Sequence, residues 1–149
     1  MSKSDELLIR QRALPHWRLK GSAYFVTWRL RKDQPKLKAD ERALVQSVIQ
    51  FNAAKRFRLY AYVVMDDHVH VALQPNAGEE LDKIIHTLKS YSANQLQRRL
   101  SRRGSIRVIE SWDRIIRDEA ELMEKCVYIL NSPFKRWPQL SDYPWAGFK

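Results

Sequence analysis

Two β-rich runs separated by only three residues constrain this chain more than anything else in it. RLYAYVV (58–64) and HVHVALQP (68–75) flank Met65-Asp66-Asp67. A link that short joins antiparallel neighbours, since parallel ones need a crossover of about a dozen residues or more. The rest of the chain then has a sheet to cover and extend. AYFVTWRL (23–30) reads as a further strand, ended by the basic link RKDQPKLK. Residues 39–55 place Leu44, Val48 and Phe51 at helical spacing, with acidic residues first and Lys55 last. Residues 79–101 carry the longest helical pattern, striped by Leu81, Ile84, Ile85, Leu88, Ser92 and Leu96. RVIESWDRIIR suggests a strand and turn, and a last helix is expected from near Asp118 to about Asn131, ahead of Pro133. The order is strand, helix, strand, strand, helix, strand, helix. It predicts an α+β fold, an antiparallel sheet of four to five strands with helices packed mainly on one face.

No boundary divides residues 1–149, so a single domain is expected, large enough to bury a core without staples. A basic arm (1–20) precedes it. An aromatic, proline-bearing tail (133–149) follows, expected to be extended and packed through its tryptophans. The single cysteine, Cys126, excludes an intramolecular disulfide and a cysteine-rich zinc site. The opening MSKSDE lacks the apolar core of a signal peptide, and no apolar run approaches the ~18 residues of a membrane span. A soluble, cytoplasmic protein with no membrane partner is the expectation. Its 27 Lys and Arg against 17 Asp and Glu leave a net charge of +10. That balance favours a polyanionic partner, because each neutralised phosphate releases counterions.

His68-Val69-His70 lies within a predicted strand. Side chains there alternate, so both imidazoles project from one face while Val69, Val71 and Leu73 project from the other. Two imidazoles so placed can grip one divalent ion, and Asp66 or Asp67 can hydrogen-bond a ligand histidine from behind. The same triplet also reads as two histidines on a solvated strand face. Two of the chain's four histidines gathered beside a tight turn favour the metal reading.

Two tyrosines on predicted helices present candidate hydroxyl nucleophiles. Tyr91 follows Leu88 by three and Ile84 by seven, which assigns it to the apolar stripe and to packing. Tyr128 follows Lys125 by three, Glu124 by four and Glu121 by seven, on the charged face of a helix whose core is built from Leu122, Cys126 and Ile129. Tyr128 is the better candidate for chemistry, the alternative being an inert surface tyrosine. Lys89, Arg98, Arg99, Arg102 and Arg103, with Arg107 beyond them, make a positive segment suited to DNA phosphates, or equally a solvated helix end. Lys125, one turn before Tyr128, is a further basic candidate.

VVMDDHVHVALQP resembles the His-hydrophobic-His motif of single-tyrosine HUH transposases. ESWDRIIRDEAELMEKCVYILNSP resembles the segment that carries their nucleophile. The closer resemblance is to REP-associated tyrosine transposases, whose chains also open with an aromatic strand like YFVTWRL and close with a segment like YPWAGF. It covers about residues 20–148 and rests on these motifs in this order. It implies a ferredoxin-like HUH endonuclease architecture, with His68 and His70 as ligands of Mg²⁺ or Mn²⁺ and Tyr128 as nucleophile. The implied activity is nicking and joining of single-stranded or hairpin DNA through a 5′-phosphotyrosine intermediate, by a monomer or homodimer associated with the nucleoid. One position departs from the family pattern. Four residues after the tyrosine the family usually has an amide side chain as third metal ligand; here Ser132 stands there, with Asn131 just before it. A hydroxyl is a poorer ligand than an amide carbonyl for a hard cation. The alternatives are therefore a REP-hairpin-binding or regulatory protein with weak or no cleavage and, from another class, an RNA-binding protein of similar layered fold.

Overall fold

The computed structural model describes residues 21–30, 33–99 and 108–148. Among them run β1 (Ala23–Leu30), α1 (Ala39–Asn52), β2 (Phe57–Val64), β3 (His68–Pro75), α2 (Leu81–Arg99), β4 (Val108–Ile116), α3 (Glu119–Arg136) and β5 (Ala146–Phe148). The strands form one antiparallel sheet in the order β4-β1-β3-β2-β5. The first six elements make a βαββαβ unit with strand order 4-1-3-2, the ferredoxin-like arrangement. β3 lies at its centre, hydrogen-bonded on both sides.

Two apolar cores sandwich the sheet. On one face Val45, Val48 and Ile49 of α1 and Ile84, Ile85 and Leu88 of α2 meet Val26, Trp28, Val69, Val71 and Leu73. On the other, Leu122, Cys126, Ile129 and Leu130 of α3 meet Ala23, Ala61, Val63 and Ala72. Two of the three helices thus share a face, and α3 occupies the opposite one. β2 reaches both cores by alternation, and its register shifts between Leu59 and Ala61. One extra residue there lets Tyr62 and Val64 return to the face of Phe57 and Leu59.

Several boundaries differ from the sequence pattern. Phe51 is 63% exposed and Tyr91 48%, so neither packs in the core. In α2 the buried residues Ile84, Leu88, Ser92 and Leu96 recur every fourth position. At 3.6 residues per turn that stripe drifts around the helix and leaves Tyr91 behind. In α1 the buried line is Val45, Val48, Ile49 and Asn52, and Phe51 instead takes Lys55 over its ring at 3.6 Å. The last helix does not stop ahead of Pro133 but runs through it to Arg136. Pro133 lacks the N–H that would bond the Ile129 carbonyl, yet the helix continues past it with the proline ring buried.

The tail is likewise not extended throughout. Trp137 stacks on Tyr143 and Tyr143 meets Trp145 edge-on, while the Tyr143 hydroxyl donates to the Val64 carbonyl at 2.6 Å. Ala146–Phe148 then pair with Ala61–Val63 as the fifth strand. No helix among the described residues is long and apolar enough to cross a membrane. The arm 1–20 lies outside the described residues, as do Arg102, Arg103 and Arg107.

Candidate active site

His68 and His70 alternate with core residues on the central strand, so the packing of Val69 and Val71 under α1 and α2 turns both imidazoles toward α3. The rings lie side by side, centroids 4.6 Å apart. Each is fixed through Nδ1. Asp67 Oδ1 sits 2.7 Å from Nδ1 of His68, and the Thr27 hydroxyl, opposite on β1, sits 2.7 Å from Nδ1 of His70. Of the two aspartates, Asp67 supports a histidine; Asp66 turns to Arg136 and Lys36. Phe25 stacks against the His70 ring, centroids 5.2 Å apart, closing it from one side.

Both imidazoles are held neutral. Burial pushes His70 down to about 3, reinforced by the neighbouring His68 and the Arg29 guanidinium. His68 is also lowered by burial, with Asp67 opposing. Burial disfavours the ionised Asp67 too, yet His68 and Arg136 outweigh it and keep its carboxyl below the usual carboxylate range. The consistent arrangement is a neutral His68 donating from Nδ1 to an ionised Asp67. That tautomer leaves the Nε2 lone pair for a ligand.

Tyr128 hangs over this pair from α3. Its ring centroid is 5.6 Å from that of His70 and 6.0 Å from that of Phe25. The ring is half exposed, while the helix beneath is anchored through Leu122, Cys126 and Ile129. Tyr128 and the histidines share an open cleft of about 470 Å³, walled by Arg29, Lys135, Arg136, Asn131 and Ser132. Three cationic side chains around two neutral imidazoles and a phenol suit an anionic ligand. Arg136 also reaches back from α3 to both Asp66 and Asp67. The helix of the tyrosine and the turn of the histidines are therefore tied by one guanidinium.

A divalent cation fits this donor set in part. Two Nε2 atoms with fixed ring orientation supply two ligands for one divalent ion, though no group of three or more His, Cys, Asp or Glu gathers among the described residues, and a hard cation would need added oxygens. Further ligands would be oxygens, from Asn131, Ser132, water or the anionic phosphate. The Ser132 hydroxyl donates to the Tyr128 carbonyl at 2.8 Å, which keeps it along its own helix.

The basic residues proposed from sequence divide by position. Lys125 is at the site, its ammonium 5.4 Å from the centre of the Phe25 ring. Lys89 lies on α2, across the sheet from the cleft, and bonds the Ser111 hydroxyl at 2.8 Å. Arg98 and Arg99 end that same helix. Arg29 and the support from Thr27 escaped the sequence reading because cross-strand register is needed to see them, and Lys135 and Arg136 because the helix was expected to end near Asn131.

The family model described as Transposase IS200 like matches residues 20–114. That span holds His68 and His70 and stops short of Tyr128. Among solved structures, a REP-associated tyrosine transposase bound to a REP hairpin is similar over 86% of this chain and 77% of that one, at 22% identity and a TM-score of 0.69. A protein of Deinococcus radiodurans R1 provisionally described as a transposase aligns over 76% of this chain and 93% of its own, at 16% identity and a TM-score of 0.50. At such identities the likeness is one of fold. No curated protein matches the sequence.

Proposed function

The chain belongs to the IS200-like transposase family, and from that premise we propose that it nicks and rejoins single-stranded DNA at hairpin-forming repeats, with Tyr128 as the nucleophile. The observation that carries this reading is the placement of the half-exposed Tyr128 ring 5.6 Å from the His70 ring over a cleft walled by cations. Arg29 and Lys135 hold the scissile phosphate in the cleft. The Tyr128 oxygen attacks phosphorus, giving up its proton. The tyrosine–phosphorus bond forms as the bond to the 3′ oxygen breaks, and that oxygen leaves as a hydroxyl once protonated. The products are a 5′-phosphotyrosine and a free 3′ end. Attack by another 3′-hydroxyl runs the step backward and joins strands without ATP. His68 and His70 would hold a divalent ion through Nε2, and such an ion, when bound, would supply charge neutralisation on the phosphate. Asp67 and Thr27 orient those nitrogens, and Lys125 adds positive potential beside the phenol.

The test is a denaturing protein gel of the full chain incubated with a labelled single-stranded hairpin DNA, in Mg²⁺, Mn²⁺ or EDTA. A metal-dependent covalent adduct is expected, and Tyr128→Phe abolishes it while sparing DNA binding. An adduct that persists in the variant sinks Tyr128 as the nucleophile. One observation favours a second reading, a hairpin-binding protein without cleavage: the Ser132 hydroxyl stands where the family usually has an amide ligand and is bonded to its own helix. Tight hairpin binding with no adduct in either metal decides for it. A hairpin made of RNA and bound equally well, with no metal requirement, points to the RNA-binding alternative.

A further inference from the structure

Trp112 is one of the few large apolar side chains left exposed, at 40%. Register places it in line with the site: Trp112 opposes Thr27 across β4 and β1, and Thr27 opposes His70 across β1 and β3. Opposed residues project to the same face, so Trp112 stands two strand spacings, about 10 Å, from His70 on the cleft side. α3 makes its main contacts with β2 and β3, and Trp112 on β4 is left exposed. Arg29 connects the two places. It lines the cleft, and its guanidinium carbon lies 5.9 Å from the Trp112 ring centre.

The surroundings indicate what the ring is for. Arg29 is exposed beside it on the same face, as is Arg114, which pairs with Glu121 at 3.2 Å, whereas the exposed Ile115 projects to the opposite face. A docking surface for an apolar partner needs a contiguous patch. A single indole beside the Arg29 guanidinium instead matches an unpaired base with its phosphate. Resting on the nuclease reading above, we propose that Trp112 is a stacking platform for an unpaired base flanking the scissile phosphate. Arg29 holds the phosphate that links that base to the cleft. Trp112 would thereby set where along an unpaired stretch the cut falls.

The experiment measures equilibrium binding of the full chain, in EDTA to prevent cleavage, to a DNA hairpin with short unpaired flanks and to the same hairpin blunt. Trp112→Ala should weaken binding to the flanked hairpin about tenfold and leave the blunt one unchanged. Trp112→Phe should retain most of the affinity. Replacing flank nucleotides one by one with abasic residues should reveal one position that costs the parent about as much, and costs Trp112→Ala nothing further. Equal losses on flanked and blunt hairpins would overturn the proposal, as would a Trp112→Ala protein as sensitive to abasic sites as the parent. So would sedimentation showing that Trp112 mediates self-association while abasic sensitivity persists without it. Failure of the platform while Trp112→Ala still forms the Tyr128 adduct leaves the nuclease reading intact. A parent protein that binds no hairpin removes both.

Discussion

Thr27 and Asp67 decide which nitrogen each imidazole offers to the cleft. Replacing Thr27 with Val keeps shape and burial but removes the partner of His70 Nδ1. The expected result is a 10- to 100-fold loss in metal affinity or adduct formation, the usual cost of removing such a support. Calorimetric titration with Mn²⁺ checks it, beside a thermal melt that should show the fold retained. The neutral histidines also set a pH dependence. Unfolded, His70 takes up a proton near the ordinary imidazole value of about 6.5; folded, it does so only at about 3. Between those values the unfolded chain binds more protons. The stability from keeping His70 neutral is therefore complete above that window and is lost as pH falls through it, by up to about 1.4 kcal/mol per pH unit. Urea midpoints of the metal-free protein at pH 7, 6, 5 and 4 should fall accordingly, with a shallower fall in His70→Asn. At this scale the sequence was partly legible. Strand alternation alone pairs His68 with His70, and the charged neighbours of Tyr128 pick it over Tyr91. Thr27 and Arg29 gave no local signal, since they matter only through the strand opposite.

Among the elements, α3 bears most on the proposed chemistry because it presents Tyr128. Asp118 caps it, accepting from the Glu121 N–H at 2.8 Å, and Glu119 and Glu121 at its start face Lys135 and Arg136 at its end, in favour of the dipole. Asp118→Ala should cost about 1 kcal/mol. Cys126 gives a way to watch this helix, since it is buried under α3 and its thiol is pushed up to about 12 by that burial. A thiol reagent such as DTNB should label it only when α3 lifts. Labelling of the folded protein should be slow and should accelerate in Asp118→Ala. Fast labelling of the parent would show that α3 is not held as described. Helix termini were less legible than helix faces. Pro133 carries a stop signal in sequence, but the helix runs on past it to Arg136 with the proline buried. β5 was invisible for a related reason: three residues are too few for alternation to show, and only the waiting edge of β2 makes them a strand.

For the whole molecule, the net charge of +10 predicts DNA binding that weakens with salt. Each phosphate contact with a single strand contributes about 0.7 to the steepness of log affinity against log salt concentration. Arg29→Ala and Lys135→Ala should each flatten that plot by about this amount if their side chains meet phosphate. An unchanged slope would remove that residue from the DNA path. The charge was plain in the sequence, but its distribution was not. The arginines at the end of α2 dominate the chain's pattern, while those that wall the cleft are scattered singly over β1 and α3.

The two margins of the sheet are guarded differently. β2 is sheltered by the short β5, where Gly147 lies so close to the Tyr62 ring that a Cβ would stand 3.1 Å from one of its carbons. β4, nine residues long, ends the sheet on the other side with Asp113 and Arg114 exposed along it. Charge can repel an intruding chain, whereas a three-residue seal must stay shut. When β5 peels away, β2 becomes a template for another molecule's backbone, so damage at this end of the sheet should announce itself as precipitate before the buried histidines are disturbed.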